Sequence, residues 1–556
     1  MLLSAPADGN AWALYSFGGI EPEDTPDELV IALAGSRPDV LWVGLSDYGA
    51  GAWQWQAVAP QTSVVTVSLT GLEQPVDAGV FHVLVVTYGG HEATLGWLRL
   101  ELAGSPPPPP SHLVVDKGPA PGQFTLSWVK PAGADSYKVY RDDTVSVYAD
   151  AWDVAEWTDT ATDGEDHTYW LRSVNQHGAG ALSQPAYGRQ GPWQLQLIDP
   201  DGRYSTSLAV VDGKPVIAYV AEVVDLVNYP YPRFARAKTA TPRGPDDWVI
   251  SEWNEWGEAV NHTHIPWVAD VDDKPAFTID NRYYRALTQA PSSRQDWEVH
   301  LFDAEADIPA LAPLIEYNGA AHMVYIDYDR DVLRFARALS AAPSDGEDWN
   351  ISTIDEFDII NPGGSCLAEI DNLPAVSYGR RDGWEEPGDL CFAHATSPSP
   401  ASSGDWQTHI VDDIPGYPAG AVETDLQSLA NGKPAISYIE SYAPDYIGLK
   451  FARSLVVSPT GTTDWVTHTV QADIADDGMS TSMRLVDGKP AICYFDGQGI
   501  KYAAAQVAEP SSSSDWVVET IFEGHVDYYK CLRIIAGQPA VSYCSSAGLF
   551  LLTQNE

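Results

Sequence analysis

The chain has 556 residues, of which 44% are hydrophobic, and its 77 acidic residues outnumber its 31 basic residues to give a net charge of −46. This content supports several hydrophobic cores, and a chain of this length is expected to hold about three domains. The charge excludes nucleic acid and anionic membranes as expected partners, because phosphate binding requires a positive surface. No stretch approaches the roughly 18 consecutive apolar residues required for a membrane span.

Residues 1–104 consist of short apolar runs separated by Gly and Asp, such as LWVGLSDY (41–48) and VFHVLVVTY (80–88). No helical periodicity of useful length accompanies these runs, so the pattern predicts a β-sandwich. Residues 105–110 contain the run Pro106 to Pro110. Such a run adopts an extended polyproline II conformation and predicts a stiff linker.

Residues 111–190 contain the segments FTLSWVKPAGADSYKVYRD (124–142) and TYWLRSVNQHGAGALSQPA (168–186). On these residues the segment resembles a fibronectin type III domain. In that family a Trp on the second strand packs in the core and a Tyr near the start of the sixth strand forms a tyrosine corner. Trp128 and Tyr169 match those places. The resemblance implies a β-sandwich that serves as a spacer or adhesive element, and it assigns no activity.

Residues 191–556 repeat one unit, with clear copies at DGKPVIAY (212–219), NGKPAISY (431–438), DGKPAICY (487–494) and AGQPAVSY (536–543). A short run such as RFARA (233–237) follows each copy, and then an Asp-Trp pair such as Asp247-Trp248. A period of roughly 50 to 60 residues that holds four short apolar runs predicts the blades of a β-propeller.

Seven tryptophans start strands in register, at Trp193, Trp248, Trp297, Trp349, Trp406, Trp465 and Trp516. The last repeat ends at GLFLLTQ (548–554) without its own Trp strand, whereas WQLQLID (193–199) precedes the first repeat. Pairing these two segments would remove both exposed sheet edges. The sequence therefore predicts an all-β chain: an N-terminal β-sandwich, a fibronectin type III-like β-sandwich, and a seven-bladed β-propeller over 191–556 closed by strand 193–199.

The repeat resembles uncharacterised bacterial propeller repeats of the form SLAVVNGxPAISYYD…LKYxRA…W, over about residues 193–556. The resemblance implies the fold and is silent on activity. The Asp-Trp turns are also similar to the Asp-box of sialidases, S-x-D-x-G-x-x-W. Here, however, Asp directly precedes Trp and the spaced Gly is absent, which separates this chain from that family.

The chain has five cysteines. If Gly537 and Gln538 form the last hairpin turn, Cys531 lies directly opposite Cys544, within reach of a disulfide. Two small buried thiols are the alternative. No bond is expected between Cys366 and Cys391, which fall on non-adjacent strands.

Two sets of basic residues recur at equivalent places in the repeats. His300, His409 and His468 each lie three residues after a repeat Trp, and this recurrence predicts a structural role. The third runs carry basic pairs, which are expected to pair with Asp or Glu of neighbouring blades; the alternative is a basic ring that recognises a carboxylate ligand. These pairs are Arg233/Arg236, Arg282/Arg285, Arg334/Arg337 and Lys450/Arg453.

Loops expected at one face of the propeller are rich in carboxylates and aromatic rings. Asp327, Asp329 and Asp331 have the alternate spacing of calcium loops, although the Gly and terminal Glu of such loops are missing, and Ca²⁺ is the one ion expected. A solvated hairpin loop is the alternative. The aromatic candidates for ligand stacking, which could equally pack loops together, are Tyr229, Tyr231, Trp256, Trp384, Tyr446 and Tyr528.

The favoured hypothesis is a non-catalytic extracellular or cell-surface protein whose propeller binds a protein, a glycan or another copy of itself. A lectin-like carbohydrate binder is the first alternative. A propeller glycosidase or lyase is the second, and it requires carboxylates that converge in the channel with a raised pKa on one of them. The motifs GxSxG, HExxH and GK[ST] are absent from the sequence. Export is expected from the domain types, although no signal peptide is visible after Met1.

Overall fold

The computed structural model describes residues 2–7, 9–18, 20, 25–34, 38–60, 63–103, 106–161, 163–175, 177–222, 230–252, 260, 265–306, 312–356, 364–381, 388–414, 419–442, 446–474, 480–526 and 531–554. Its regular structure consists of β-strands and short 3-10 helices. None of the helices in these ranges has the length and hydropathy needed to cross a membrane. Contacts divide the chain into one unit of Met1–Ser111, Ser127–Trp157 and Tyr169–Gln184, and a second unit of His112–Leu126, Thr158–Thr168 and Pro185–Glu556.

The N-terminal region forms two four-stranded antiparallel sheets around one hydrophobic core. Its strands are β1 (Leu2–Ser4), β2 (Asn10–Phe17), β3 (Thr25–Leu33), β4 (Leu41–Asp47), β5 (Ala52–Val58), β6 (Val64–Ser68), β7 (Phe81–Tyr88) and β8 (Glu92–Ala103). The first sheet has the order β1-β8-β3-β6 and the second β2-β7-β4-β5. Leu29, Val43 and Val83 belong to the core, as the alternating pattern of the strands requires.

The strands of the next region are β9 (Ser111–Lys117), β10 (Phe124–Val129), β11 (Ser136–Arg141), β12 (Val147–Trp152), β13 (Glu156–Asp159), β14 (His167–Asn175), β15 (Gly178–Leu182) and β16 (Ala186–Gly188). They form one sheet of order β13-β10-β9 and another of order β12-β11-β14-β15, with β16 also on β14. Trp128 and Tyr169 are buried, and the ring of Trp128 meets that of Tyr137 edge-on at 5.0 Å. Both residues that carry the fibronectin type III resemblance are thus core residues.

The repeats form consecutive four-stranded sheets, which we number 1 to 7. Sheet 1 is β18 (Gly202–Val211), β19 (Lys214–Glu222), β20 (Pro230–Ala237) and β21 (Trp248–Glu252). Sheet 2 is β22 (Trp267–Val271), β23 (Lys274–Ile279), β24 (Arg282–Ala286) and β25 (Trp297–Leu301). Sheet 3 is β26 (Leu314–Tyr317), β27 (Ala320–Asp327), β28 (Val332–Ala338) and β29 (Trp349–Glu356). Sheet 4 is β30 (Ser365–Ile370), β31 (Leu373–Arg381), β32 (Gly388–Ala395) and β33 (Trp406–Asp412).

Sheet 5 is β34 (Ala419–Ser428), β35 (Pro434–Tyr442), β36 (Tyr446–Ser454) and β37 (Trp465–Gln471), and a single parallel bridge between Gly388 and Gly420 joins it to sheet 4. Sheet 6 is β38 (Thr481–Val486), β39 (Lys489–Phe495), β40 (Gly499–Ala505) and β41 (Trp516–Glu523). Sheet 7 is β42 (Cys531–Ile535), β43 (Gln538–Ser545), β44 (Gly548–Gln554) and β17 (Trp193–Asp199). In sheet 7, β17 pairs antiparallel with β44, and Trp193 lies opposite Gln554.

Tight turns join the first two strands of most sheets. In sheet 1, Val211 lies opposite Lys214, and the two residues between them have positive φ: 50° at Asp212 and 69° at Gly213. This geometry matches the twist of the two strands, and Asp-Gly adopts it readily. Asp212 and Gly213 thus form the two-residue turn between β18 and β19.

Each Asp-Trp pair ends a one-turn 3-10 helix and starts the outermost strand of a sheet. These helices are Pro245–Asp247, Arg294–Asp296, Gly346–Asp348, Ser403–Asp405, Thr462–Asp464 and Ser513–Asp515. The Asp carboxylate caps the turn; Asp405 Oδ2 accepts hydrogen bonds from the backbone N–H groups of Ala401 at 3.0 Å and Ser402 at 2.9 Å. These donors hold the pKa of Asp405 below its usual value. The recurring Asp is therefore a turn cap.

Hydrophobic cores fill the spaces between consecutive sheets. Phe234 of sheet 1 and Phe277 of sheet 2 share one core, for example. Leu208 of sheet 1 and Ala540 of sheet 7 share another, so the last sheet packs on the first. The first strands also contact one another in sequence, from β18 with β22 to β38 with β42, and β42 contacts β18.

Candidate functional site

The aromatic residues predicted to bind ligand are not assembled into a site by the described part of the chain. Tyr229, Trp256, Trp384 and Tyr528 lie outside the described residues. Tyr446 begins β36 opposite Tyr442, and nothing is described of its side chain. Tyr231 is buried in β20 opposite Ala221. Tyr231 is therefore a packing residue rather than an exposed stacking surface.

The predicted calcium triplet lies at the turn between β27 and β28. Asp327 ends β27, its side chain is fully buried, and its Oδ2 is 2.8 Å from Arg330 Nη1 and 3.1 Å from Arg334 Nε. Asp331 is in the turn itself, with φ of 53°. Within the described ranges, no group of three or more His, Cys, Asp or Glu side chains is placed to hold a metal ion. Asp327 is therefore paired with two guanidinium groups, and the described residues do not form the predicted calcium site.

The predicted register of the last hairpin is wrong by one residue. The turn is formed by Ala536 and Gly537, which have positive φ of 50° and 86°, rather than by Gly537 and Gln538. Cys531 consequently lies opposite Ser542, not opposite Cys544. No disulfide links the five cysteines, all of which are described.

Carboxylates at or just beyond the outer strands of four sheets accept hydrogen bonds from the next sheet. In the first case, Asp199 Oδ2 accepts from the Tyr219 hydroxyl at 2.6 Å and from Arg233 Nη1 at 2.8 Å. We name each such group an Asp–Tyr clamp. The clamps are Asp199–Tyr219–Arg233, Asp303–Tyr325–Arg334, Asp355–Tyr378–Arg380 and Asp412–Tyr438–Lys450.

The clamps confirm that Arg233, Arg334 and Lys450 pair with acids of the neighbouring repeat. Arg282 instead pairs within its own sheet, with Asp280 at 3.1 Å, where Ile279 stands at the clamp Tyr position. Sequence reasoning missed the tyrosines, although the Tyr that ends each GKPxxxY motif was visible. The clamps therefore join consecutive sheets through charge-assisted hydrogen bonds.

The predicted structural role of the repeat histidines is confirmed. The indole N–H of a tryptophan in the next sheet donates to Nε2 of each histidine at 3.0 Å, in the pairs Trp349–His300, Trp465–His409 and Trp516–His468. Burial is the largest cause that lowers the pKa of all three histidines. At the equivalent places Gln196 accepts from Trp248 at 3.3 Å and Glu519 from Trp193 at 2.9 Å. In these pairs the residue three positions after a repeat Trp therefore serves as a hydrogen-bond acceptor for the indole of the next sheet, a role that His, Gln and Glu side chains all fill.

A buried polar cluster joins the first strands of sheets 5, 6 and 7. Asp425 accepts from the backbone N–H of Met483 at 2.9 Å and from Arg484 Nη1 at 3.0 Å. Arg533 lies close to Arg484, and burial first, then the charge of Arg484, lower the pKa of Arg533. Its Nη1 donates to the Leu532 carbonyl at 2.8 Å. Most of the polar atoms of this cluster therefore have hydrogen-bond partners within the cluster or on the adjacent backbone.

Asp270 is a carboxylate of a first strand whose pKa is raised, and Glu316 of the next sheet contributes to that shift. Asp270 lies on β22 opposite Pro275, and one of its oxygens is buried without a hydrogen-bond partner in the described structure. Burial, then the negative charges of Asp273 and Glu316, raise the pKa of Asp270 to about 6. Glu316, on the first strand of sheet 3, is exposed and accepts from the Gly319 backbone N–H at 2.5 Å. We name Asp270 and Glu316 the carboxylate pair.

The carboxylate pair was not predicted from the sequence. Neither residue belongs to a motif, and both are among 77 acidic residues, so nothing in the sequence marks them. Their proximity depends on which first strands become neighbours. A carboxyl group with a raised pKa can donate a proton while a second carboxylate acts as base or nucleophile.

No family model and no curated protein matches the chain. Among solved structures, it is similar to an Fn3-like protein from Clostridium thermocellum, at 26% identity over 15% of this chain and 92% of that one, with a TM-score of 0.14. It is also similar to the Hadza microbial sialidase Hz136, at 10% identity over 97% of this chain and 95% of that one, with a TM-score of 0.35. A third is the α-L-arabinofuranosidase from Lactobacillus brevis, at 10% identity, 42% and 87% coverage, and a TM-score of 0.30.

These comparisons correct one prediction. The sequence favoured a protein without catalytic activity, whereas the similar structures include two enzymes, a sialidase and an arabinofuranosidase. The prediction is wrong on this finding, and identities of 10% point only weakly to an enzymatic activity.

Proposed function

We propose that residues 193–554 form a seven-bladed β-propeller, closed by β17, that acts on carbohydrate outside the cell. Support for the ring comes from the consecutive four-stranded sheets, the pairing of β17 with β44, and the core between Leu208 and Ala540. In such a ring the first strands surround the central channel. Asp270 and Glu316 are then carboxylates of neighbouring blades at one end of that channel.

The observation that carries the proposal is the raised pKa of Asp270 beside Glu316. Glycoside hydrolysis uses one protonated carboxyl group, which donates to the leaving oxygen, and one ionised carboxylate, which activates water or attacks the sugar. A pKa of about 6 leaves Asp270 largely protonated in mildly acidic solution, so Asp270 is the acid. Glu316, which is exposed and accepts a hydrogen bond from a backbone N–H group, takes the role of the second carboxylate.

The experiment is a screen of the full chain against oligosaccharides of neutral and acidic sugars, with release of new reducing ends as the readout. Any substrate found is then tested with Asp270→Asn and Glu316→Gln, each of which is expected to lower kcat/KM at least a hundredfold. The matched control is Glu369→Gln. Glu369 occupies the same register position in sheet 4, opposite Pro374, and is not part of the pair.

The pH profile gives a second readout. With Asp270 as the acid, activity falls as pH rises above about 6, and Asp270→Glu keeps a shifted profile. Binding of a glycan without cleavage, or equal losses in the Glu369→Gln control, would refute the assignment of Asp270 and Glu316. A profile that is flat through this pH range would refute it as well.

A further inference from the structure

The outer face of the sheet β2-β7-β4-β5 is an exposed aromatic surface. Register places Trp12 beside Val86, and Val86 beside Trp42. The next row across the sheet is Leu14, Leu84, Gly44 and Trp55, from strand to strand. Trp12 is 61% exposed and Trp55 is 46% exposed, although large aromatic side chains are ordinarily covered. We name this surface, which contains Trp12, Trp42, Trp53 and Trp55, the tryptophan face.

Gly44 fixes the orientation of one ring. A Cβ atom at Gly44 would lie 3.0 to 3.2 Å from ring atoms of Trp55, so the indole lies directly on the glycine backbone. The absence of a side chain at Gly44 lets the ring lie close to the sheet. Trp53 lies two residues earlier on the same strand and therefore on the same face. The strand pleat thus places Trp53 and Trp55 on one face, and exposed aromatic rings of this kind suit stacking against an extended ligand.

Charge identifies the class of ligand. No Asp, Glu, Lys or Arg stands at the outward positions of these four described strands, although 19% of the chain is charged. The exposed polar groups at these positions are neutral or histidine, such as Ser16, whose hydroxyl lies 2.8 Å from His82 Nδ1. A net charge of −46 opposes the approach of an anionic polymer or of a second copy of the chain. An uncharged ligand with apolar faces and many hydroxyl groups is not repelled by this negative charge and needs no charged partner on the surface.

The exposed area of the tryptophan face also favours a glycan over a second copy of the chain as its ligand. Trp12, Leu14, Trp53, Trp55 and Tyr88 are between 38% and 61% exposed. At about 200 Å² for a whole aromatic side chain, these fractions leave roughly 500 Å² of surface. A stable protein interface needs about 800 Å² from each partner. Patches of a few hundred Å² are ordinarily functional when they are this apolar.

We infer that the tryptophan face binds an uncharged polysaccharide, whose sugar rings stack on Trp55, Trp53 and Trp12. This site is on the N-terminal region and is independent of the carboxylate pair. It would hold the chain on a neutral glycan whether or not the propeller cleaves one.

The test is affinity electrophoresis of the full chain in gels that contain hydroxyethylcellulose, glucomannan or arabinoxylan, with alginate as an anionic polymer. At least one neutral polymer is expected to retard the wild-type chain, and alginate is not. Trp55→Ala and Trp12→Ala are expected to weaken that binding at least tenfold. The matched control is Trp97→Ala: Trp97 is 47% exposed, lies on the other sheet and stacks with Arg99, and its loss should leave binding unchanged.

Near-ultraviolet circular dichroism shows whether each variant is folded. If Trp55→Ala does not fold, Trp12→Ala still provides the test, because Trp12 is the more exposed of the two residues. The inference is overturned if no neutral polymer retards the chain, or if Trp97→Ala loses as much binding as Trp55→Ala. It is also overturned if sedimentation velocity shows that the wild type self-associates and that Trp12→Ala abolishes this association, since a second copy would then be the occupant.

Discussion

The clamp at Asp199 allows a quantitative test of how the repeat region is closed. Asp199 and Arg233 have side chains only 4% and 6% exposed, and their atoms are 2.8 Å apart. Removing one partner of a buried pair costs about 3–5 kcal/mol. Asparagine keeps one oxygen as an acceptor, and Asp201, 3.2 Å from the same guanidinium, keeps part of the charge balance. We therefore expect Asp199→Asn to cost about 2–3 kcal/mol, the value for hydrogen bonds to charged groups.

Asp201→Asn is the matched control, because Asp201 contacts the same guanidinium but is 59% exposed. Exposed ion pairs contribute about 0–1 kcal/mol, so this variant should remain within about 0.5 kcal/mol of the wild type. Global unfolding of several domains does not yield one free energy. Local opening should instead be measured by hydrogen–deuterium exchange.

Peptides from β17 and β44 report this opening, because these strands pair with each other. A loss of 2–3 kcal/mol corresponds to exchange about 30- to 160-fold faster in Asp199→Asn. Exchange within threefold of the wild type would refute the reasoning. Equal effects of Asp199→Asn and Asp201→Asn would refute it too, because burial would then not decide the cost.

Three further changes have expected outcomes. His409→Gln should be as stable as the wild type at pH 7 and should lose less stability than the wild type as pH falls below about 6.5. Burial lowers the pKa of His409 in the folded state, so the unfolded wild-type chain binds a proton at this histidine more tightly than the folded chain does. Asp405→Asn should lower stability at pH 7, and the difference should close as pH falls through the lowered pKa of Asp405, where the wild-type carboxylate is protonated as well. Arg484→Met should cost about 2–4 kcal/mol by leaving Asp425 buried without its ion pair, whereas Arg533→Met should be neutral or stabilising.

Hydrogen–deuterium exchange of peptides from the substituted sheets tests all three changes, across this pH range for the first two and at pH 7 for the third. His409→Leu, which has no acceptor, is the control for the glutamine variant and should be destabilised at every pH. An Asp405→Asn difference that persists unchanged in strong acid would contradict the capping role. Equal losses of stability in Arg484→Met and Arg533→Met would contradict the conclusion that Arg484 is the residue that neutralises Asp425.

Much of the fold follows from local sequence. The GKPxxxY and Asp-Trp motifs mark strands and turns because residues such as Gly213 and Asp405 satisfy local backbone requirements, positive φ at one and turn capping at the other. The fibronectin type III resemblance implied a core position for Trp128, which is buried. The last hairpin shows the limit: Ala536 and Gly537 form its turn, and a shift of one residue changed the partner of Cys531.

The sequence by itself determined the β-strand content, the repeat period, and the pairing of Arg233, Arg334 and Lys450 with acids of a neighbouring repeat. Tertiary structure alone decided which carboxylates are neutralised and which are not. Asp327 is fully buried and pairs with Arg330 and Arg334, whereas partial burial, then the negative charges of Asp273 and Glu316, raise the pKa of Asp270. The physical reason is that burial and charge proximity depend on which strands become neighbours in space, and identical side chains acquire different pKa values only after that packing is complete.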